Sequence, residues 1–192
     1  MPNLKKTEKR KPALEDAILL AVKAHKGQVD KRREPYILHP LAVMLDGINE
    51  EERIVGVLHD VLEDTKVTVV KLRLLGYSKE ILDALKILTK RPDEKDDYSS
   101  FIRRIKESKN KLAHVVKIRD IGNNIKPSRF PKKLTERHLI RQDKYKKALK
   151  LLSGHKPEDG QEFMPLKFWR RHGKFPDSLG VGNDSFYHGF YQ

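Results

Sequence analysis

The chain has 192 residues, enough for one domain with its own core and an appendage. It has no cysteine, which excludes disulfides, thiolate metal sites and cysteine nucleophiles and fits a reducing compartment. With 38% hydrophobic residues and a formal charge of +14 it reads as a basic globular protein, and no apolar run approaches the roughly 18 residues of a membrane span.

Residues 1–12 form a basic segment (Lys5, Lys6, Lys9, Arg10, Lys11). No long apolar stretch follows before Glu15 and Asp16, so a secretory signal is not expected, and the protein is read as cytoplasmic. From Ala13 onward apolar residues recur at helical spacing. Ala13 to Ala24 is the first expected helix, with Gly27 as its C-cap. Val29 to Leu38 is a charged loop, in which Pro35 keeps Glu34 out of the helical region. Pro40 suits a first helical turn and places His39 at its start. Glu50 to Leu62 is expected as one helix, with a loop beginning at Thr65. Thr68 and Ser78 are expected to cap helices over Val69–Leu75 and Lys79–Leu88. Pro92 to Asp97 reads as a polar loop, followed by helices over Tyr98–Glu107 and Leu112–Asn124. Pro127 and Pro131 break the chain, and Leu134 to Leu152 is the last helix. No strand alternation and no repeat emerges, so the class is all-α.

Residues 155–192 differ in character. They hold 8 of the 14 aromatics, three prolines (Pro157, Pro165, Pro176) with several glycines, and no periodicity. An aromatic-anchored tail packed on the domain or on a second subunit is the favoured reading. A substrate lid or nucleic-acid contact through Phe168-Trp169-Arg170-Arg171 is the alternative. The expected division is therefore 1–12, a helical domain over 13–154, and an irregular extension over 155–192.

The densest chemistry lies in Leu58-His59-Asp60-Val61-Leu62-Glu63-Asp64-Thr65. On a helix, His59 would share a face with Glu63, and Asp60 with Asp64. Three carboxylates and an imidazole in six residues are costly to bury unless a metal or a substrate uses them. The apolar flanks (Ile54, Val55, Val57, Leu58, Val61, Leu62) favour a buried metal site over a solvated helix face. An ion held by His59 and Asp60 alone would be weakly bound, and His39 and Asp120 are candidate further ligands. His39 stands at a rigid loop-to-helix junction, and Asp120 on the otherwise apolar stretch Val115-Val116-Lys117-Ile118-Arg119. Residues 103–150 carry 17 Lys/Arg against 4 Asp/Glu, a net of +13. A basic block of that size beside a metal site points to a polyanionic ligand, although many of these lysines are ordinary solvated surface.

Five segments, in order over roughly residues 13–152, carry a family resemblance: Ala24-His25-Lys26-Gly27-Gln28, Glu34-Pro35-Tyr36-Ile37-Leu38-His39-Pro40-Leu41, the His59-Asp60 segment above, Leu88-Thr89-Lys90, and Val116-Lys117-Ile118-Arg119-Asp120 followed by Asn124. The chain resembles HD-superfamily hydrolases of the RelA/SpoT type, in particular the small single-domain guanosine polyphosphate (ppGpp) pyrophosphohydrolases of the stringent response. The resemblance implies an all-α HD-domain bundle holding one divalent ion. It implies His39, His59, Asp60 and Asp120 as metal ligands, a set that suits Mn²⁺ with other divalent ions open. It implies Glu63 and Asp64 as the pair that orients and activates the attacking water, Asn124 near the nucleoside, and Tyr145 closing the pocket. Arg141 is a candidate phosphate contact, and His25 is read as a supporting residue.

The sequence departs from the family pattern at two places. Asp30 stands where a basic residue usually packs on guanine, leaving Lys31, Arg32 or Arg33 to substitute, and Arg32-Arg33 replace a small residue and a glycine. Arg119 replaces an alanine and is either solvent-facing or a phosphate contact. No synthetase segment is visible, so (p)ppGpp synthesis is not expected.

The leading expectation is Mn²⁺-dependent hydrolysis of ppGpp to pyrophosphate and GDP or GTP. The alternatives are the same chemistry on another nucleotide, dinucleotide or phosphorylated metabolite, and a non-catalytic nucleic-acid or protein-binding module. A nucleotide partner is expected, nucleic acid is open but not favoured, a membrane is not expected, and the oligomeric state is open.

Overall fold

The computed structural model describes residues 11–126, 129 and 135–154. The described part of the C-terminal extension is therefore nil, and the expectations for 155–192 lie outside it, as do those for residues 1–10. The described residues are all-α: α1 (Leu14–Ala24), α2 (Leu38–Leu45), α3 (Glu50–Leu58), α4 (Val61–Asp64), α5 (Val69–Leu75), α6 (Lys79–Leu88), a 3₁₀ turn (Pro92–Glu94), α7 (Tyr98–Glu107), α8 (Lys111–Asn124) and α9 (Glu136–Ser153). No strand occurs among them, and an isolated antiparallel bridge pairs Val29 with Pro35. None of the described helices is long and apolar enough to cross a membrane.

The helix starts follow local chemistry. Asn49, Thr68, Ser78, Asp97 and Asn110 each accept a hydrogen bond from an otherwise unpaired backbone N–H of the following first turn. Gly76 ends α5 at φ +97°, where a side chain would be strained.

Helices α3 and α8 form the centre. Ile54 through Leu58 are all buried, so the C-terminal half of α3 has no solvent face, and α1, α2, α6 and α8 pack around the helix. Helix α8 in turn touches α2, α6, α7 and α9. Gly56 lets α2 come close: a Cβ there would sit 3.1 Å from the Met44 Cα. The core (Val55, Leu58, Leu85, Phe101, Ile105, Val116, Ile121, Leu152 among others) is continuous between these helices.

The expected single helix over Glu50–Leu62 is corrected by a break. Helix α3 ends at Leu58 and α4 begins at Val61. The apolar periodicity continues through the break, but His59 Nδ1 donates to the Gly56 carbonyl at 2.7 Å. That carbonyl is the one a continuing helix would offer to the Asp60 N–H. The last helix begins at Glu136, and Leu134 lies outside the described residues.

Candidate metal centre and cleft

Three separate helical segments aim ligating atoms at one point. His39 comes from the first turn of α2, His59 and Asp60 from the α3–α4 break, and Asp120 from α8. One ligand atom each of His39, His59 and Asp120 lie within 4.8 Å of one another, and all three residues are buried. Asp60 flanks them: its Oδ2 is 3.0 Å from His59 Nε2 and 3.8 Å from His39 Nε2. Asp120 Oδ1 is 3.1 Å from His39 Nε2 and 3.7 Å from His59 Nε2.

The orientation of each ligand is fixed from behind. His39 Nδ1 donates to Asn123 Oδ1 at 2.8 Å and His59 Nδ1 to the Gly56 carbonyl, so both Nε2 atoms face the cluster. His59 Nε2 is buried with no hydrogen-bond partner of proper geometry among the described residues. A buried ring nitrogen so placed is costly unless something coordinates it. Lys117 Nζ donates to Asp120 Oδ2 at 2.8 Å, and Asn124 Nδ2 to Asp120 Oδ1 at 2.6 Å. Tyr36 O–H donates to Asp60 Oδ2 at 2.6 Å and lies 3.2 Å from Asp64 Oδ2. Two imidazole nitrogens and two carboxylates, braced this way, fit a divalent ion.

The electrostatics of the cluster are set by the pairing of its acids with its bases. Burial works against ionisation of Asp60, but His59 beside it holds the carboxyl well below the usual range. Asp120 behaves likewise, held down by Lys117 and then by the two imidazoles. Burial alone would lower His59, yet Asp60, Asp120 and the Gly56 carbonyl together push it up to about 9. Asp64 moves the other way: burial, then Asp60 and Glu63, raise its carboxyl above the ordinary value.

His39, Asp60 and Asp120 of the cluster line a cleft of about 360 Å³, and His59 is not among its lining residues. Glu63, Asp64, Lys31, Asn124, Arg141 and Tyr145 all line it. Asp60 and Asp64 remain one turn apart, joined by Tyr36, whereas Glu63 turns to Lys90, which donates to it at 2.6 Å. Lys31 is held below its usual range by the nearby Arg141 charge and then by burial. Arg32 is exposed and does not line the cleft. Arg119 is neither solvent-facing nor a cleft residue: its guanidinium pairs with Glu52 at 2.6 Å, both side chains being largely buried.

No family model matches the chain. It is 35% identical over 92 residues to the guanosine-3′,5′-bis(diphosphate) 3′-pyrophosphohydrolase of Borreliella burgdorferi, a match covering 46% of this chain and 14% of that protein. It is 34% identical over 103 residues to the bifunctional (p)ppGpp synthase/hydrolase SpoT of Escherichia coli K12, again 46% of this chain and 14% of that one. The matched segment is thus about one-seventh of the length of these curated relatives. Among solved structures, a metazoan ortholog of SpoT, described as hydrolysing ppGpp and acting in starvation responses, superposes with a TM-score of 0.60. The match covers 80% of this chain and 86% of that one at 20% identity.

The fold is that of the SpoT-type hydrolases. The RelA/SpoT resemblance carried by the five motifs is borne out, and so is the all-α class.

Within this SpoT-type fold, several residues were not singled out from sequence. Tyr36 lies inside a quoted motif, yet nothing in its spacing marked its hydroxyl as the link between Asp60 and Asp64. Lys117 and Asn123 are three residues either side of Asp120 on α8, so polar groups on that otherwise apolar face were the available signal. Gln28 accepts from His25 Nδ1 at 2.7 Å and donates to the Asp64 carbonyl at 2.8 Å, tying the end of α1 to α4. The buried His25 ring rests against Tyr36 with centroids 5.0 Å apart. Arg33 takes the left-handed conformation, φ +64°, at the position where the sequence pattern has a glycine.

Proposed function

We propose that the chain is a cytoplasmic, metal-dependent phosphohydrolase that removes pyrophosphate from the 3′ position of ppGpp or pppGpp, leaving GDP or GTP. The observation that carries this reading is the convergence of His39, His59, Asp60 and Asp120 beside a cleft that presents Lys31, Arg141 and the Glu63–Asp64 pair.

His39, His59, Asp60 and Asp120 would hold a divalent ion, Mn²⁺ by preference. Such an ion polarises a phosphate oxygen and lowers the pKa of a bound water. Asp64, with its raised carboxyl, is suited to accept the proton of the attacking water. Glu63 is oriented by Lys90, and the two acids together orient that water. Lys31 and Arg141 repel one another, and a phosphate group between them relieves the repulsion. Asn124 links Asp120 to Arg141, whose Nη2 reaches its Oδ1 at 3.5 Å, and Tyr145 forms the wall beyond.

The same chemistry on another nucleotide is a second reading. The observation that favours it is Asp30, whose carboxylate serves the loop and Arg129, so selection of the base differs from the family pattern. The deciding experiment is pyrophosphate release from ppGpp with Mn²⁺, run beside GTP, dNTPs and NADPH, with Asp60→Ala as control. Release from ppGpp that is absent in the variant supports the first reading. Asp60-dependent activity on another compound alone replaces it with the second. Silence across the panel overturns both and returns attention to the basic surface.

A further inference from the structure

We propose that Arg129, held in place by Asp30, is the platform on which the substrate's nucleobase stacks, with Asp30 as its positioning residue; the inference rests on reading the cleft as a nucleotide site. Both residues line the cleft. Asp30 belongs to the loop between α1 and α2, Arg129 follows α8, and Arg129 Nη1 lies 3.3 Å from Asp30 Oδ2. The pair therefore joins two segments that line the cleft.

The chemistry of the pair differs from that of the other cations there. Asp30 Oδ1 accepts from the backbone N–H of Arg32 at 2.8 Å and of Glu34 at 3.0 Å, and Oδ2 faces Arg129. The carboxylate is thus engaged on both oxygens. It also offsets the charge of Arg129, which weakens the pull of that guanidinium on phosphate. Lys31 and Arg141 have no carboxylate partner among the described residues, and they are the groups left to meet phosphate charge. Arg129 keeps its planar face, and its side chain stays 21% exposed within the cleft. A guanidinium fixed in position and locally neutralised is suited to stack on an aromatic ring, as an ammonium is not. Base stacking is tolerant of which base is bound, so the platform sets affinity for a nucleoside over a bare polyphosphate.

The test is calorimetric binding of GDP and of inorganic pyrophosphate, each with Mn²⁺, to the native protein and to Arg129→Ala, Arg129→Lys and Asp30→Asn. Asp30→Asn keeps an oxygen for the two backbone N–H groups while removing the charge that holds Arg129. The expected result is a loss of GDP affinity of about 5- to 100-fold in Arg129→Ala. Arg129→Lys fails to restore it, Asp30→Asn shows a smaller loss, and pyrophosphate affinity stays constant in Arg129→Ala and Arg129→Lys. Equal losses for GDP and pyrophosphate, rescue by lysine, or unchanged GDP binding would each overturn the proposal, as would a native protein that binds no GDP. Melting temperatures within a few degrees of the native value guard against misfolding. A native protein that binds GDP through Arg129 but releases no pyrophosphate from ppGpp retires the hydrolase reading and leaves the platform standing.

Discussion

Asn123 Oδ1 lies 2.8 Å from His39 Nδ1, with both side chains buried. An amide oxygen only accepts, so the imidazole carries a proton on Nδ1 and turns its Nε2 toward Asp120 and Asp60. The two residues sit on different helices, α2 and α8, so this one bond also fixes the spacing of the cluster. Asn123→Ala is expected to weaken Mn²⁺ binding by about 10- to 100-fold while leaving a folded protein. Metal titration followed by calorimetry measures this. An unchanged affinity would show that the packing of α2 alone orients the ring.

Removal of the ion should cost stability, because the bare cluster crowds carboxylates and imidazoles together. Mn²⁺ at a hundredfold excess over its Kd stabilises by about 2.7 kcal/mol. For a domain of this size that is roughly 5 to 10 °C in melting temperature. EDTA is expected to reverse the shift, and Asp120→Ala to abolish it. Scanning calorimetry with and without Mn²⁺ reads the difference. A native protein indifferent to both reagents would remove the metal site from the account.

Tyr36 places one hydroxyl between Asp60 and Asp64. Burial, then the charges of Asp60 and Asp64, push the phenol far above its ordinary pKa, so it stays a donor throughout the neutral range. A hydrogen bond to a charged group contributes about 1.5 to 3 kcal/mol. Tyr36→Phe is therefore expected to lower kcat on ppGpp by about tenfold or more, because the proton-accepting Asp64 loses a fixed neighbour. Steady-state kinetics at saturating Mn²⁺ provide the check, and a native kcat in this variant would mean that Asp64 is held by the backbone alone.

Much of the fold was legible because most helices carry both a periodic apolar face and a local start signal. Val69–Leu75, Lys79–Leu88 and Tyr98–Glu107 have the expected limits, and Thr68 and Ser78 cap as expected. The break at His59 was not legible. Val57, Leu58, Val61 and Leu62 keep the helical period across it, while the cause is a side chain taking a backbone carbonyl. Arg119 shows the same limit: its neighbour Asp120 turns to the cleft, and its partner Glu52 is remote in sequence. Asp30 was legible as a departure, but its two backbone hydrogen bonds and its pairing with Arg129 depend on a loop geometry that no spacing encodes.

Away from the cleft, one buried ion pair makes a pH prediction. Glu94, in the 3₁₀ turn, bonds to the guanidinium of Arg104 on α7, with one N–H···O contact at 2.7 Å, and Arg104 also donates to the Ile87 and Thr89 carbonyls. The hydrogen bonds from Arg104 hold the Glu94 carboxyl below the usual range against the cost of burial. In the unfolded chain a glutamate titrates near about 4.3. Between that value and the lower folded one the unfolded chain binds the proton and the native protein does not, so stability falls as pH falls. The contribution is fully present above about pH 4.3 and is lost as the pH drops through the folded value. Glu94→Gln should be less stable than the native protein by about 1 to 3 kcal/mol at neutral pH. The gap should close as the pH falls through the lowered folded value, where the native carboxyl takes up its proton. Denaturant melts of both proteins in metal-free buffer, from neutral pH down into acid well below about pH 4.3, measure the gap. A difference that persists unchanged into acid would mean that the stability comes from the shape of the side chain and not from its charge.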